Sequence, residues 1–72
     1  MAGNSNIVDV NVIFCHRTER AIGFWRDETE MELDKKVTWI PLAQCEVSGR
    51  LQRGSIIELS MEERTAIEKG LI

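Results

Sequence analysis

The sequence predicts a mainly β (α+β) domain: a small, strongly bent antiparallel sheet or barrel of four or five strands with one short C-terminal helix. Three observations lead there. Apolar and polar residues alternate in "NIVDVNVIF", four further short β-forming runs follow it, and the last dozen residues carry the start and stop signals of a helix. With 72 residues, 43% of them hydrophobic and 29% charged, the chain reads as a single domain, 1–72. That length is near the lower limit for folding without metal or disulfide staples, and the composition is that of a folded chain.

Val8, Val10, Val12 and Phe14 share one parity while Asp9 and Asn11 take the other, the two-residue period of a half-buried strand. "CHRTER" reads as a turn, and "AIGFWR" as a second strand that pairs with the first in a hairpin. Gly23 within that run marks a bulge or tight bend. "KVTWIP" is the third run, with Val37 and Trp39 on one side and Pro41 at its end, because proline has no N–H for a central ladder. "CEVSG" makes a short fourth strand closed by Gly49, "RLQRG" a turn, and "SIIELS" a fifth strand ending at Ser60. Ser60 followed by Glu63 fits a capping box, and Lys69 and Gly70 fit a helix end, which places a helix over residues 61–69. Its Met61, Thr65 and Ala66 face docks on the sheet, with Leu71 and Ile72 fastening the end.

The net charge of −3 has the wrong sign for neutralising many phosphates, although Arg17, Arg20, Arg50 and Arg53 fall in two short segments apart from the acidic run at residues 27–34. No apolar run is long enough to span a bilayer, and "MAGNSN" lacks the basic-then-apolar layout of a signal peptide. A cytoplasmic protein is expected, with Cys15 and Cys45 as thiols. Cys15, His16 and Cys45 are one ligand short of a structural zinc site and lack paired spacing, so neither metal nor cofactor is expected. There is no serine elbow, glycine-rich phosphate loop or H-E-x-x-H element, so no catalytic residue is assigned and no enzyme is expected.

The stretch "DETEMELD" puts five carboxylates into eight residues. Glu28, Glu30, Glu32 and Asp34 share one parity and Met31 and Leu33 the other, which predicts an extended arm with one charged and one apolar flank. Carboxylates on such an arm stand about 6–7 Å apart. One reading is a solvated edge that discourages strand pairing. The functional reading makes the four acids contacts for a basic partner. Phe24 and Trp25 are consecutive and face opposite sides, so one of them risks exposure, and Trp25 is the candidate apolar anchor.

"RAIGFW", "VTWIPLAQCEV", "SIIELS" and "AIEKGLI" together resemble a pattern in small phage and mobile-element accessory proteins. There, a strand leads into a W-aliphatic-Pro-x-small-Gln turn and a last strand feeds a short helix ending in Lys-Gly-Leu-Ile. The resemblance spans roughly residues 20–72 and implies a small β fold without catalytic residues. The segment "RDETEMELDKK" departs from it, being longer and more acidic than the tight turn expected between those strands. Resemblance and acidic run together predict a non-enzymatic protein that binds and blocks a host macromolecule with a basic surface. The sharpest version is an anti-CRISPR or similar anti-defence inhibitor acting in the host cytoplasm on a nucleic-acid-handling complex. Two alternatives stand beside it: a single-stranded nucleic-acid binder using Arg17, Arg20, Arg50 and Arg53 with an exposed aromatic, and a homo-oligomer that completes its core by association.

Overall fold

The computed structural model describes residues 6–33 and 36–72. Asp34 therefore lies outside the described residues. Strands Ile7–Arg17 (β1), Ala21–Trp25 (β2), Thr38–Pro41 (β3), Cys45–Ser48 (β4) and Ile56–Glu62 (β5) form one antiparallel sheet in the order β3-β2-β1-β5-β4. Two short helices, Glu28–Glu32 (α1) and Glu63–Glu68 (α2), and a 3-10 turn at Leu42–Gln44 complete the chain. The fold is mainly β with a short C-terminal helix, as the alternation and end signals predict.

The inner face follows from parity. Val8, Val10 and Val12 stand opposite Met61, Leu59 and Ile57 of β5, and Phe14 stands opposite Phe24 of β2. Ile22, Phe24, Ile40 and Leu59 are completely buried, and Ala66 of α2 packs into the same cluster. The sheet must also curl. Laid flat, its outer strands would be about 19 Å apart, four intervals of about 4.8 Å. Yet Pro41 ends β3 and Cys45 opens β4 with only the 3-10 turn between them. At about 2 Å per residue that turn covers less than half the flat distance, so the two edges bend toward each other at this corner.

β1 is longer than the alternation suggests. "CHRTER" does not turn at Cys15: the strand runs on to Arg17, and the turn is residues 18–20. The Thr18 hydroxyl oxygen closes it by accepting the Ala21 N–H at 3.1 Å. The added length fits through a bulge, since Phe14 pairs with Phe24 but His16 pairs with Gly23, leaving Cys15 as the extra residue. The irregularity expected at Gly23 thus belongs to the strand facing it.

α2 starts two residues later than predicted, at Glu63. Met61 is 2% exposed against Val8 in the inner core, which keeps this stretch in the sheet. The Ser60 hydroxyl therefore reaches sideways to the Asp9 carboxylate on β1 instead of capping a helix. The Glu63 N–H is satisfied by the Asn6 carbonyl at 2.8 Å. Gly70 ends the helix at φ +72°, a backbone conformation costly for other residues. Leu71 packs on the core as expected, whereas Ile72 is 59% exposed and fastens nothing.

Candidate functional site

The predicted acidic arm does not form. Residues 28–32 are helical, because Asp27 caps them: its Oδ1 accepts the Glu30 N–H at 2.9 Å. Glu30 folds back, accepting the Arg26 backbone N–H at 2.9 Å and the guanidinium Nε–H at 2.8 Å. This hydrogen bond and the Glu30 charge hold Arg26 protonated even beyond its ordinary range. Glu28 and Glu32 are exposed on the helix while Glu30 is engaged with Arg26, so the acids form no single charged flank. The missed signal is Asp27-x-x-Glu30, an N-terminal helix signature directly after a strand.

The purpose of α1 is burial. Met31 and Val37 pack on Ile13, Cys15 and Trp25, forming a second apolar cluster on the outer face of β1 and β2. Phe24 and Trp25 do face opposite sides of the sheet, but each side is covered, and Trp25 is 3% exposed. The Arg53 guanidinium lies 5.4 Å from its ring centroid, a cation–π contact. Trp25 is thus a core residue, and an apolar anchor exposed there is ruled out.

The exposed indole is Trp39, at 41%. It rests on Gly23, where an added Cβ would lie 3.1 Å from two of its ring carbons and 2.8 Å from Val37 Cγ1. Glycine is required there to seat the ring. His16, on the other side of Gly23, meets Trp39 edge to face with ring centroids 6.2 Å apart. The bulge puts Cys15 and His16 on the same outer face, which simple strand alternation excludes.

Two charged regions emerge, an acidic one that no local pattern announces and a basic one that the two arginine segments foreshadow. On the outer face of β4, β5 and the first half of β1, Glu46, Glu58, Glu62 and Asp9 are all exposed. Glu46 and Asp9 flank Ser60, Glu58 stands between Ser48 and Asn11, and Glu62 stands beside Ile7. Each acid faces a neutral neighbour, which avoids like charges directly opposite. None of the outward positions of these three strands carries a lysine or arginine.

The second region is basic. The β1–β2 turn and the β4–β5 loop share one end of the sheet, since the Phe14 N–H donates to the Ser55 carbonyl at 2.9 Å and the Gly54 N–H to the Phe14 carbonyl at 2.8 Å. Arg17, Arg20, Arg50 and Arg53 are all exposed there.

Both cysteines are free thiols. Burial against the inner core pushes the Cys45 thiol up from its ordinary value. Among the described residues, no group of three or more His, Cys, Asp or Glu side chains is placed to hold a metal ion, and no helix is long and apolar enough to cross a membrane. Comparison with known proteins supplies no family: no family model, curated protein or solved structure matches the chain.

Proposed function

We propose that this is a non-enzymatic binding protein that occupies a basic surface of another macromolecule with the acidic face of β4, β5 and β1. The observation that carries the reading is the interleaved grid of Asp9, Glu46, Glu58 and Glu62 on three hydrogen-bonded strands. From strand spacing, diagonal neighbours in it stand about 8 Å apart. A sheet holds such a pattern without a backbone ordering cost on binding, and its summed field steers a cationic partner. Ile7 and Ile56, 65% and 66% exposed, flank the acids and add apolar contact.

The finer reading rests on the resemblance of residues 20–72 to phage accessory proteins. It makes the partner a nucleic-acid-handling defence complex of the host, and the chain an anti-CRISPR or related inhibitor. A charge-patterned surface that competes for arginine-lined grooves suits that task.

The test is phage plating on a CRISPR-immune host that expresses the chain. Plating is expected to rise, and the double variant Glu58→Lys/Glu62→Lys is expected to abolish the rise while its melting curve stays that of a folded domain. Full protection by the double variant would remove the acidic face from the reading. No rise with any immune system tried would remove the inhibitor.

A further inference from the structure

We infer that the opposite, basic end of the sheet is a second binding surface, and that it takes single-stranded nucleic acid. The four arginines come from segments about thirty residues apart and share one end of the sheet only because β1 and β5 run antiparallel. Among the described residues none of the four is in an ion pair, and Glu19 is the one carboxylate in the two segments. Their charge is therefore available to an anionic ligand.

The same end carries a stacking platform. Trp39 lies over Gly23, and Arg53 lies over Trp25, the next outward position along β2. Those two positions are about 7 Å apart from the strand rise, the scale of one nucleotide in an extended strand. His16 buttresses the indole edge, and the Leu42 N–H donates to the Arg20 carbonyl at 2.8 Å, which ties the β1–β2 turn to the end of β3. Stacking ring and guanidinium groups are thus held on one rigid framework. An exposed indole is useful only to a base that is not already stacked in a duplex, so charge and ring together select a single strand. An acidic peptide would satisfy the arginines and leave the ring without a planar partner.

The experiment titrates the full chain against a fluorescein-labelled dT oligonucleotide at low salt, reading affinity from the label's anisotropy in every variant and tryptophan fluorescence in the unaltered chain. Quenching is expected, with affinity falling as salt rises; three or four neutralised phosphates give a log–log slope of about −2 to −3. Trp39→Ala should weaken binding roughly ten- to hundredfold, the scale of one stacked base. Trp39→Phe, which keeps a stacking ring, should retain most of the affinity, and this separates stacking from loss of fold. Arg17→Glu/Arg50→Glu should abolish binding. Glu58→Lys/Glu62→Lys should leave it intact or tighten it, so failure here and failure of the acidic-face reading are distinguishable. The proposal falls if no oligonucleotide binds at low salt, if binding survives both the Trp39→Ala and the arginine variants, or if a duplex binds more tightly than the single strand. It falls equally if sedimentation shows salt-sensitive self-association that needs the same arginines, which would give this end to the acidic face of a second copy.

Discussion

The two faces of the sheet are both buried in part, but by different means. The inner face is filled by residues that β1 and β5 supply at strict two-residue spacing, closed by α2 through Ala66. The outer face has an apolar cluster only beside β1 and β2, and each of its parts depends on a local device. A bulge presents Cys15, a glycine seats Trp39, a capped helix brings Met31, and an arginine covers Trp25. A repeating pattern builds a core that tolerates no single gap, whereas a face assembled from devices leaves room for exposed chemistry among them. Trp39 and Arg53 lie on that second kind of face.

The largest effect that would break this contrast comes from truncating one aromatic on each side. Phe24→Ala, at a completely buried position, should cost about 3–5 kcal/mol, enough to unfold much of a domain this small. Trp25→Ala should cost less, because α1 is short and can settle into the gap. Equal losses in urea titration would mean that the outer layer is as integral as the inner one. Next comes Gly23→Ala, whose Cβ would crowd Val37 and Trp39, at about 1–3 kcal/mol. Tryptophan emission should shift as the indole is expelled, and unchanged emission would show that the seat is loose.

Asp27→Ala should cost about 1 kcal/mol through loss of the cap. Hydrogen exchange should accelerate at the amides of α1 and stay slow along β1 and β5. The smallest effect concerns Cys45, where the inner core meets the β4 edge. Its raised thiol value means that folding favours the protonated form. That contribution is fully present below the ordinary value of 9.0 and is lost as pH rises through the higher folded value. Stability should therefore decline slightly above pH 9.0, and Cys45→Ala should decline less.

The strands were legible because their evidence is local: Val8, Val10, Val12 and Phe14 declare a face, Pro41 an end, and Gly70 a stop. The two helix starts show where local evidence fails. Ser60-x-x-Glu63 and Asp27-x-x-Glu30 carry the same signature, but only the second caps a helix. Met61, needed opposite Val8, holds Ser60 in β5, while nothing beyond Trp25 obliges the chain to stay extended. The acidic grid was hidden for a related reason. Its four acids lie in three separate strands, and only the β1–β5 and β4–β5 registers make them neighbours. Local density pointed to residues 28–34 instead, and the helix at 28–32 disperses Glu28, Glu30 and Glu32.

The place of β5 has one more consequence. It is the last strand in the chain, yet it sits beside the first, with Ile7 opposite Glu62. During synthesis β1 must keep one flank open until residue 62 has emerged, with the whole hairpin of β2 and the turn into β4 already made. The seam between first and last strands joins residues at least 43 positions apart, from Ile13–Ile56 outward, so it is the slow, entropically costly step of folding. Until that seam zips, the valines of β1 offer a bare ladder to any neighbouring chain.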